Sequence, residues 1–277
     1  MKTDLPTSKS GKTAIQVAQD VALHAGDMLK KSFGQVQNIS HKGRGNIVTE
    51  MDTEVEAAMF AVLGREFPNM ALVGEESSGG QVPESGYVWV VDPIDGTRNY
   101  ASGIPFFSIV AGLVLDGEPV LGVNYDPMLD EMFIAERGQG AFLNGKQIWV
   151  SERTALDQSI LGMDLSYNNE GAINGLEVIT TIWPGMQTAR IKGSSALGIS
   201  YAAAGRTDLY FHHQLAPWDQ VAGLVLVEEA GGIITDRTGK RAGLHSDGLI
   251  ASNRTLHREF MQKTEGLAWR RPTHLTA

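Results

Sequence analysis

Two aspartates stand three residues apart directly after a short apolar run in the middle of the chain. The run Val88–Val91 is typical of a buried strand, and Asp92 and Asp95 follow it in the sequence Asp-Pro-Ile-Asp-Gly-Thr. Such a segment is also typical of two ordinary turns, because Asp-Pro and Asp-Gly are common turn pairs. The same loop offers two carboxylates for hard cations, and Gly96 and Thr97 at its far end would expose backbone N–H groups that suit an anion. The segment is therefore a candidate site for a cation and an anion together.

Further acidic residues occur at other junctions between predicted elements. Glu75 and Glu76 follow the apolar run 71–73, and Asp219 begins a predicted helix. Taken alone, the glutamate pair is typical of a solvated loop, and Asp219 is typical of the first turn of a helix, where it favours the helix dipole. A hydrolytic metal site needs more oxygen ligands than the two aspartates supply, so these residues are candidates to complete it.

The order of these motifs along the chain resembles the inositol monophosphatase family, the lithium-sensitive, magnesium-dependent phosphomonoesterases that include some fructose bisphosphatases. The motifs are Asp52, Gly-Glu-Glu-Ser at 74–77, Asp-Pro-Ile-Asp-Gly-Thr at 92–97, Gly-Ser-Ser-Ala at 193–196 and Trp-Asp at 218–219. The resemblance covers nearly the whole chain. It implies an α+β fold layered as an α-β-α-β-α sandwich, usually a homodimer, with the active site between two halves of the chain.

The resemblance also implies roles for single residues in hydrolysis. Asp52 and Thr97 match the pair that helps to orient the attacking water, and Glu75 would assist proton removal. Two or three Mg²⁺ ions, bridged by Asp92, would lower the pKa of a bound water and stabilise the leaving alcohol without a covalent phosphoenzyme. The family's metal ligands match Glu75, Asp92, the backbone carbonyl of Ile94, Asp95 and Asp219.

The resemblance places the substrate, a small phosphate ester, between two segments. The backbone N–H groups of Gly96 and Thr97 would hold the phosphate oxygens. The family's hydroxyl-contacting segment matches Gly193, Ser194, Ser195 and Ala196. The two serines also suit simple capping of the helix that follows, and both roles are compatible.

Two residues depart from the family's pattern and bear on the choice of substrate. His212 stands where many members carry a glutamate that hydrogen-bonds the inositol ring; it either contacts a different polyol, a second phosphate or a metal, or forms a partly exposed pair with His213 that has no catalytic role. Arg98 either adds positive charge near a doubly phosphorylated substrate or pairs with a nearby carboxylate. The expected substrate is myo-inositol 1-phosphate, and fructose 1,6-bisphosphate, histidinol phosphate and 3′-phosphoadenosine 5′-phosphate are alternatives.

The elements that must position these residues fall into two halves, 1–150 and 151–277. Helical patterns in the first half cover 11–33 and 52–67, and strand patterns cover 88–91, 108–115, 120–125, 132–135 and 141–150. They predict two helices on an antiparallel sheet that carries most of the metal ligands. In the second half, strand patterns near 159–163, 209–211, 232–235 and 248–251 alternate with helical patterns at 194–204 and 217–230. This alternation predicts an α/β half that completes the active site.

The composition limits the partners of the chain. Its 277 residues carry 32 acidic and 23 basic side chains, a formal net charge of −9. Proteins that neutralise a row of phosphates usually have a basic surplus, so we expect no nucleic-acid partner. No apolar run is long enough to span a bilayer, so we expect no membrane partner. The absence of cysteine excludes disulfides and thiolate chemistry, and no apolar secretory segment opens the sequence, so a cytoplasmic protein is expected.

A function of a different class is a metal-binding homologue whose task is regulatory association. Asp52, Glu75 and Thr97 argue against it, because the roles matched to them concern the activation of water rather than the binding of an ion.

Overall fold

The computed structural model describes residues 5–35, 39–43, 46–77, 79 and 81–272. Within these residues the chain forms seven α-helices and fourteen β-strands. The helices are α1 (Ala14–Ser32), α2 (Glu50–Glu66), α3 (Thr97–Ala101), α4 (Asn169–Ile182), α5 (Ser195–Ala203), α6 (Pro217–Glu229) and α7 (Arg254–Lys263). The strands are β1 (Ile39–Gly43), β2 (Asn46–Thr49), β3 (Ala71–Gly74), β4 (Tyr87–Asp95), β5 (Ser108–Leu115), β6 (Glu118–Asp126), β7 (Glu131–Glu136), β8 (Gly140–Leu143), β9 (Lys146–Gln147), β10 (Ile160–Met163), β11 (Thr188–Ile191), β12 (Leu209–His212), β13 (Ile233–Thr235) and β14 (Leu249–Ser252). No helix in this described part is long and apolar enough to cross a membrane.

Local capping determines where α1 begins. The backbone N–H of Thr13 donates to Oε1 of Gln16 at 2.9 Å, and the Thr13 hydroxyl accepts from the Gln16 N–H at 3.3 Å. This reciprocal cap satisfies two N–H groups that have no partner inside the helix. The helix therefore begins at Ala14, three residues later than the apolar pattern predicts.

The first sheet has seven strands in the order β3-β4-β5-β6-β7-β8-β9. Strands β4 to β9 form the predicted antiparallel meander. The prediction of a wholly antiparallel sheet was wrong at one edge, because β3 pairs in parallel with β4 and places Gly74 opposite Val91. Parallel strands end at the same edge of a sheet. This pairing therefore sets Glu75, which follows β3, beside Asp92.

The second sheet has five strands in the order β11-β10-β12-β14-β13. The predicted alternation of strands and helices is present, but α4, β11 and α7 were missed. In α4, Gly171 and Gly175 weaken the helical signal of the sequence. Strands β11, β10 and β12 are parallel. Because they end at one edge, Asp164, Lys192 and His212 lie on the same side of this sheet.

The two sheets pack on a shared middle layer formed by α5 and α6. Glycines allow the close approach of α6 to the first sheet: a Cβ at Gly112 would overlap the side chain of Val221, and a Cβ at Gly122 would overlap the backbone of Ala222. The α1 and α2 helices cover the outer face of the first sheet, and α4 and α7 cover the second. The predicted α-β-α-β-α sandwich is confirmed. The division into halves 1–150 and 151–277 stays a prediction.

Candidate active site

Three carboxylates from separate elements meet at the edge of the first sheet. Glu75 lies in the turn after β3, Asp92 lies on β4, and Asp219 lies in the first turn of α6. An oxygen of each carboxylate lies within 4.8 Å of an oxygen of the other two. Asp92 is buried and the other two are half-buried. We call these residues the three-carboxylate cluster; its spacing lets the three side chains share a divalent cation.

The three-carboxylate cluster is electrostatically unfavourable by itself. Burial, and then the charge of Glu75 and the neighbouring aspartates, raises the pKa of Asp92 well above its usual range. Burial and the charges of Asp95 and Glu75 raise the pKa of Asp219 in the same way. A divalent cation would relieve this repulsion, because it supplies the missing opposite charge. Carboxylate oxygens are also the ligands that Mg²⁺ prefers, so the residues present fit that ion.

Asp95 has the opposite surroundings, although it lies on the same strand as Asp92. Its carboxylate accepts hydrogen bonds from the Ser194 hydroxyl, from the N–H and hydroxyl of Ser195 at 3.2 and 2.9 Å, and from the N–H of Ala196 at 3.0 Å. Burial raises the pKa of Asp95, and these four donors oppose that rise. Asp95 thus binds the start of α5 and lies outside the three-carboxylate cluster, so its role as a metal ligand stays a prediction.

The two residues predicted to orient water are in direct contact. The Thr97 hydroxyl lies 2.9 Å from Oδ1 of Asp52 and 3.0 Å from the carbonyl oxygen of Ile94, and it can donate to either. The other oxygen of Asp52 accepts from the N–H and hydroxyl of Thr49 at 2.7 and 2.6 Å. The cap of α2 therefore fixes the Asp52 carboxylate, and Asp52 in turn orients Thr97.

A residue that the sequence reasoning missed, Glu56, holds the turn that carries Glu75. Glu56 is buried on α2. Its carboxylate accepts from the N–H of Glu76 at 2.8 Å and from the hydroxyl of Ser77. A Cβ at Gly74 would overlap this carboxylate, which explains the glycine before the two glutamates. The sequence signal was a glutamate within the apolar face of a helix, where an unpaired charge would be costly.

The predicted phosphate and hydroxyl segments face each other. Gly96 has a left-handed φ of 100°, and a Cβ there would lie only 3.0 Å from the carbonyl oxygen of Gly193. Asn99, which the sequence reasoning missed, joins the two segments: its amide donates to the carbonyl oxygens of Phe106 and Lys192, both at 2.7 Å. The loop after β4 and the loop after β11 are therefore fixed to one another.

A third missed residue, Asp164, supports the loop after β11 from the end of β10. Its Oδ1 accepts from the N–H of Lys192 at 2.8 Å and from the N–H of Gly193, and its Oδ2 accepts from the Tyr210 hydroxyl at 2.9 Å. Burial raises the pKa of Asp164 to about 7, although these hydrogen bonds lower it. A single acidic residue after a strand gave no distinctive signal in the sequence.

His212 is buried at the end of β12 and lines the same cavity as the acidic residues. Burial lowers its pKa to about 4, so the ring is neutral at pH 7. Its Nδ1 accepts from the N–H of Gln214 at 3.2 Å, which leaves Nε2 as the protonated nitrogen. The prediction of a partly exposed histidine pair was wrong, because both His212 and His213 are buried.

The cavity that contains these groups has a volume of about 890 Å³ and opens between the loops of the two sheets. Acidic side chains, Arg98 and Tyr167 line this cavity, and the acidic ones include Glu75, Asp92, Asp95 and Asp219. Of the two roles predicted for Arg98, pairing with a carboxylate is not seen among the described residues: its guanidinium lies 5.4 Å from the centre of the Tyr167 ring.

Comparisons with known proteins give the class first, because relatives that are named as phosphatases match most of the chain. The sequence model of the inositol monophosphatase family matches residues 12–268. The chain is 35% identical over 251 residues to an inositol-1-monophosphatase of Mesorhizobium japonicum, which covers 90% of this chain and 94% of the relative. It is 38% identical over 238 residues to a fructose-1,6-bisphosphatase/inositol-1-monophosphatase of Thermotoga maritima, which covers 86% and 90%.

A solved structure supports the fold. The extragenic suppressor protein suhB of Bartonella henselae superposes with a TM-score of 0.85 at 32% identity, over 91% of this chain and 98% of that one. The chain therefore belongs to the inositol monophosphatase family, and it is a phosphatase. Members of this family depend on metal ions, and the three-carboxylate cluster is the acidic group that fits one here.

Proposed function

We propose that this protein is a Mg²⁺-dependent phosphomonoesterase that hydrolyses myo-inositol 1-phosphate or a similar small polyol or sugar phosphate. The observation that carries the proposal is that the three-carboxylate cluster and Thr97 line one cavity, and that the Thr97 hydroxyl is hydrogen-bonded to Asp52. The names of the relatives from Mesorhizobium japonicum and Thermotoga maritima support the substrate class.

Glu75, Asp92 and Asp219 would hold the ion, and Asp95 and the Ile94 carbonyl are the further ligands that we propose. When bound, Mg²⁺ supplies Lewis-acid chemistry: it makes water more acidic and neutralises charge that develops on the leaving oxygen. With two or three ions per site, the three-carboxylate cluster would keep its charges without the repulsion that raises the pKa of Asp92.

The Asp52–Thr97 pair would orient the attacking water. The Thr97 hydroxyl has a single proton, and it can donate that proton to Oδ1 of Asp52 or to the Ile94 carbonyl. The Thr97 oxygen can then only accept from the water, which directs one of the water's lone pairs away from Thr97 and toward the phosphorus. Glu75, which is half-buried and lines the same cavity as Thr97, is the proposed proton acceptor.

The polyol hydroxyl groups would contact the segment Gly193–Ala196 and His212, while the N–H groups of Gly96 and Thr97 would hold phosphate oxygens. Because His212 is neutral, it replaces the family's glutamate with one N–H donor instead of a charged acceptor. This difference keeps fructose 1,6-bisphosphate, histidinol phosphate and 3′-phosphoadenosine 5′-phosphate as alternative substrates. Lithium sensitivity, a homodimer and a cytoplasmic location belong to the same proposal.

The test is phosphate release from myo-inositol 1-phosphate with Mg²⁺, with EDTA as a control and fructose 1,6-bisphosphate in parallel. We expect rapid release that EDTA abolishes. The variant Asp92→Asn should be inactive, while Asp27→Asn, which removes an exposed carboxylate on α1, should keep wild-type rates. Tight Mg²⁺ binding without release from a broad panel of phosphate esters would contradict the proposal and support the regulatory alternative.

A further inference from the structure

Among the described residues that line the acidic cavity, Arg98 is the one positively charged side chain. Among the described residues that line the cavity, five are acidic: Glu75, Asp92, Asp95, Asp164 and Asp219. Arg98 is exposed at the wall of this cavity, and no ion pair joins it to any residue in the described ranges. If Arg98 served only to neutralise the acidic groups of the cavity, it would form an ion pair with one of these carboxylates. No such pair is present among the described residues.

The side chain of Arg98 is held by an aromatic ring instead. Its guanidinium lies 5.4 Å from the ring centre of Tyr167, in the loop that joins β10 to α4. Such a cation–π contact uses the flat face of the guanidinium and leaves the N–H groups at its edge available. The same edge forms paired hydrogen bonds to two oxygens of a phosphate group.

The loop that carries Tyr167 is anchored at the cavity wall. Asn168 donates from its amide to Oε1 of Gln214 at 2.8 Å and to the Ser166 hydroxyl at 3.0 Å. The first contact ties the loop after β10 to the loop after β12. The Arg98–Tyr167 pair therefore has a fixed support, and two amide side chains lie beside it.

We propose that Arg98, held on the ring of Tyr167, binds a second phosphate group of the substrate, distinct from the phosphate that is hydrolysed. The inference rests on the proposed function, since it assigns the substrate class of the same cavity. The hydrolysed phosphate would lie at the three-carboxylate cluster with its cations, and elsewhere in the described lining of the cavity Arg98 offers the positive charge that a second phosphate needs. Within the small polyol and sugar phosphates of the proposed function, Arg98 would favour those that carry two phosphate groups.

The test compares fructose 1,6-bisphosphate with fructose 1-phosphate and fructose 6-phosphate, which differ from it by one phosphate each. Phosphate release gives kcat/KM for each compound in the wild type and in Arg98→Met, which keeps most of the side-chain length and removes the charge. Arg65→Met is the matched control, because Arg65 is an exposed arginine on α2. Arg98→Lys keeps the positive charge but lacks the planar guanidinium group.

We expect the wild type to prefer the bisphosphate, and Arg98→Met to lower that preference by about 10- to 100-fold, the loss typical of a charged hydrogen-bonded pair. The preference of Arg98→Lys for the bisphosphate should lie between those of the wild type and Arg98→Met. The control Arg65→Met should keep the full preference. An equal loss of kcat/KM on the bisphosphate and both monophosphates, or no loss on any of them, would overturn the proposal.

A second readout separates the failure of this proposal from the failure of the proposed function. The rise in Tm on adding each fructose phosphate, with Mg²⁺ present, measures binding without turnover. If no compound is hydrolysed, the proposed function fails for these substrates. The second-phosphate site still stands in that case if the bisphosphate raises Tm more than either monophosphate and Arg98→Met removes the difference. The second-phosphate site is overturned if all three compounds raise the Tm by the same amount.

Discussion

The regions around Asp92 and Asp95 differ sharply, although both residues lie on β4. Asp92 faces two other carboxylates and has a single hydrogen-bond donor among the described residues, the N–H of Ile94 at 2.9 Å. Asp95 faces four donors from the start of α5. The protein thus satisfies one carboxylate internally and leaves the other with uncompensated negative charge. The region that lacks donors is the one that requires a cation from outside.

The largest effect is expected from Asp92→Asn. Loss of the central carboxylate removes several kcal/mol of charge stabilisation by the metal, so kcat/KM should fall by about 10³-fold or more. In EDTA the same variant should be more stable than the wild type, because a repelling buried charge is gone. Phosphate release measures the first effect, and thermal unfolding in EDTA measures the second. A variant that is less stable in EDTA would contradict the description of this region.

Asp95→Asn sharpens the comparison because its effect on stability should have the opposite sign. An amide NH₂ would face the hydroxyl and N–H donors of α5, which costs about 1–3 kcal/mol of unfolding free energy. Activity should fall by about 10²-fold or more. Denaturant unfolding in EDTA measures the cost. Equal stability of Asp95→Asn and the wild type would show that the four donors do not stabilise the carboxylate.

A smaller effect is expected from Glu56→Gln, which disturbs the turn that carries Glu75. One of the two acceptor oxygens is lost, so the Glu76 N–H or the Ser77 hydroxyl lacks its partner. Positioning groups behind a metal ligand typically change affinity by about 10- to 100-fold. We expect weaker Mg²⁺ activation with kcat largely recovered at saturating Mg²⁺. The exposed Glu54→Gln is the control on the same helix, and a loss of kcat that Mg²⁺ does not restore would count against this role.

The smallest effect is expected from Asp164 and concerns pH. Its pKa is raised to about 7 in the folded protein, so the native state binds a proton more tightly than the unfolded chain does. The stabilisation from this group is present below about pH 4 and is lost as pH rises toward 7. Asp164→Asn should therefore unfold with a flatter pH dependence between pH 4 and 7. Parallel profiles for the two proteins would show that Asp164 titrates normally.

The sequence predicted the part of the site that local patterns encode. Glu75 follows a strand, Asp219 stands in the first turn of a helix and Asp92 follows the apolar run 88–91, and the structure brings these three together. Local periodicity also predicted many of the helices and strands, and the family resemblance implied their α-β-α-β-α layering. Such features depend on residues close to one another in the chain, which is the range that sequence patterns report best.

The parts that the sequence missed depend on contacts between distant segments. Asn99 reaches the carbonyl of Lys192, 93 residues away, and Asp164 reaches the N–H of the same residue from a different strand. The parallel pairing of β3 with β4 was missed for the same reason, because the sequence of one strand does not indicate whether its neighbour runs parallel or antiparallel to it. The surroundings of Asp95 were also unpredictable, because its donors come from α5, about 100 residues further along.

The most direct test of the central claim is the anomalous electron density of crystals grown with Mn²⁺ in place of Mg²⁺. The account predicts a strong anomalous peak for a Mn²⁺ ion that is bound by the carboxylates of Glu75, Asp92 and Asp219, and no such peak in Asp92→Asn. A peak within bonding distance of Asp95 as well would make Asp95 a ligand despite its hydrogen bonds to α5. A crystal of active wild-type protein with no metal among the three carboxylates would contradict the account.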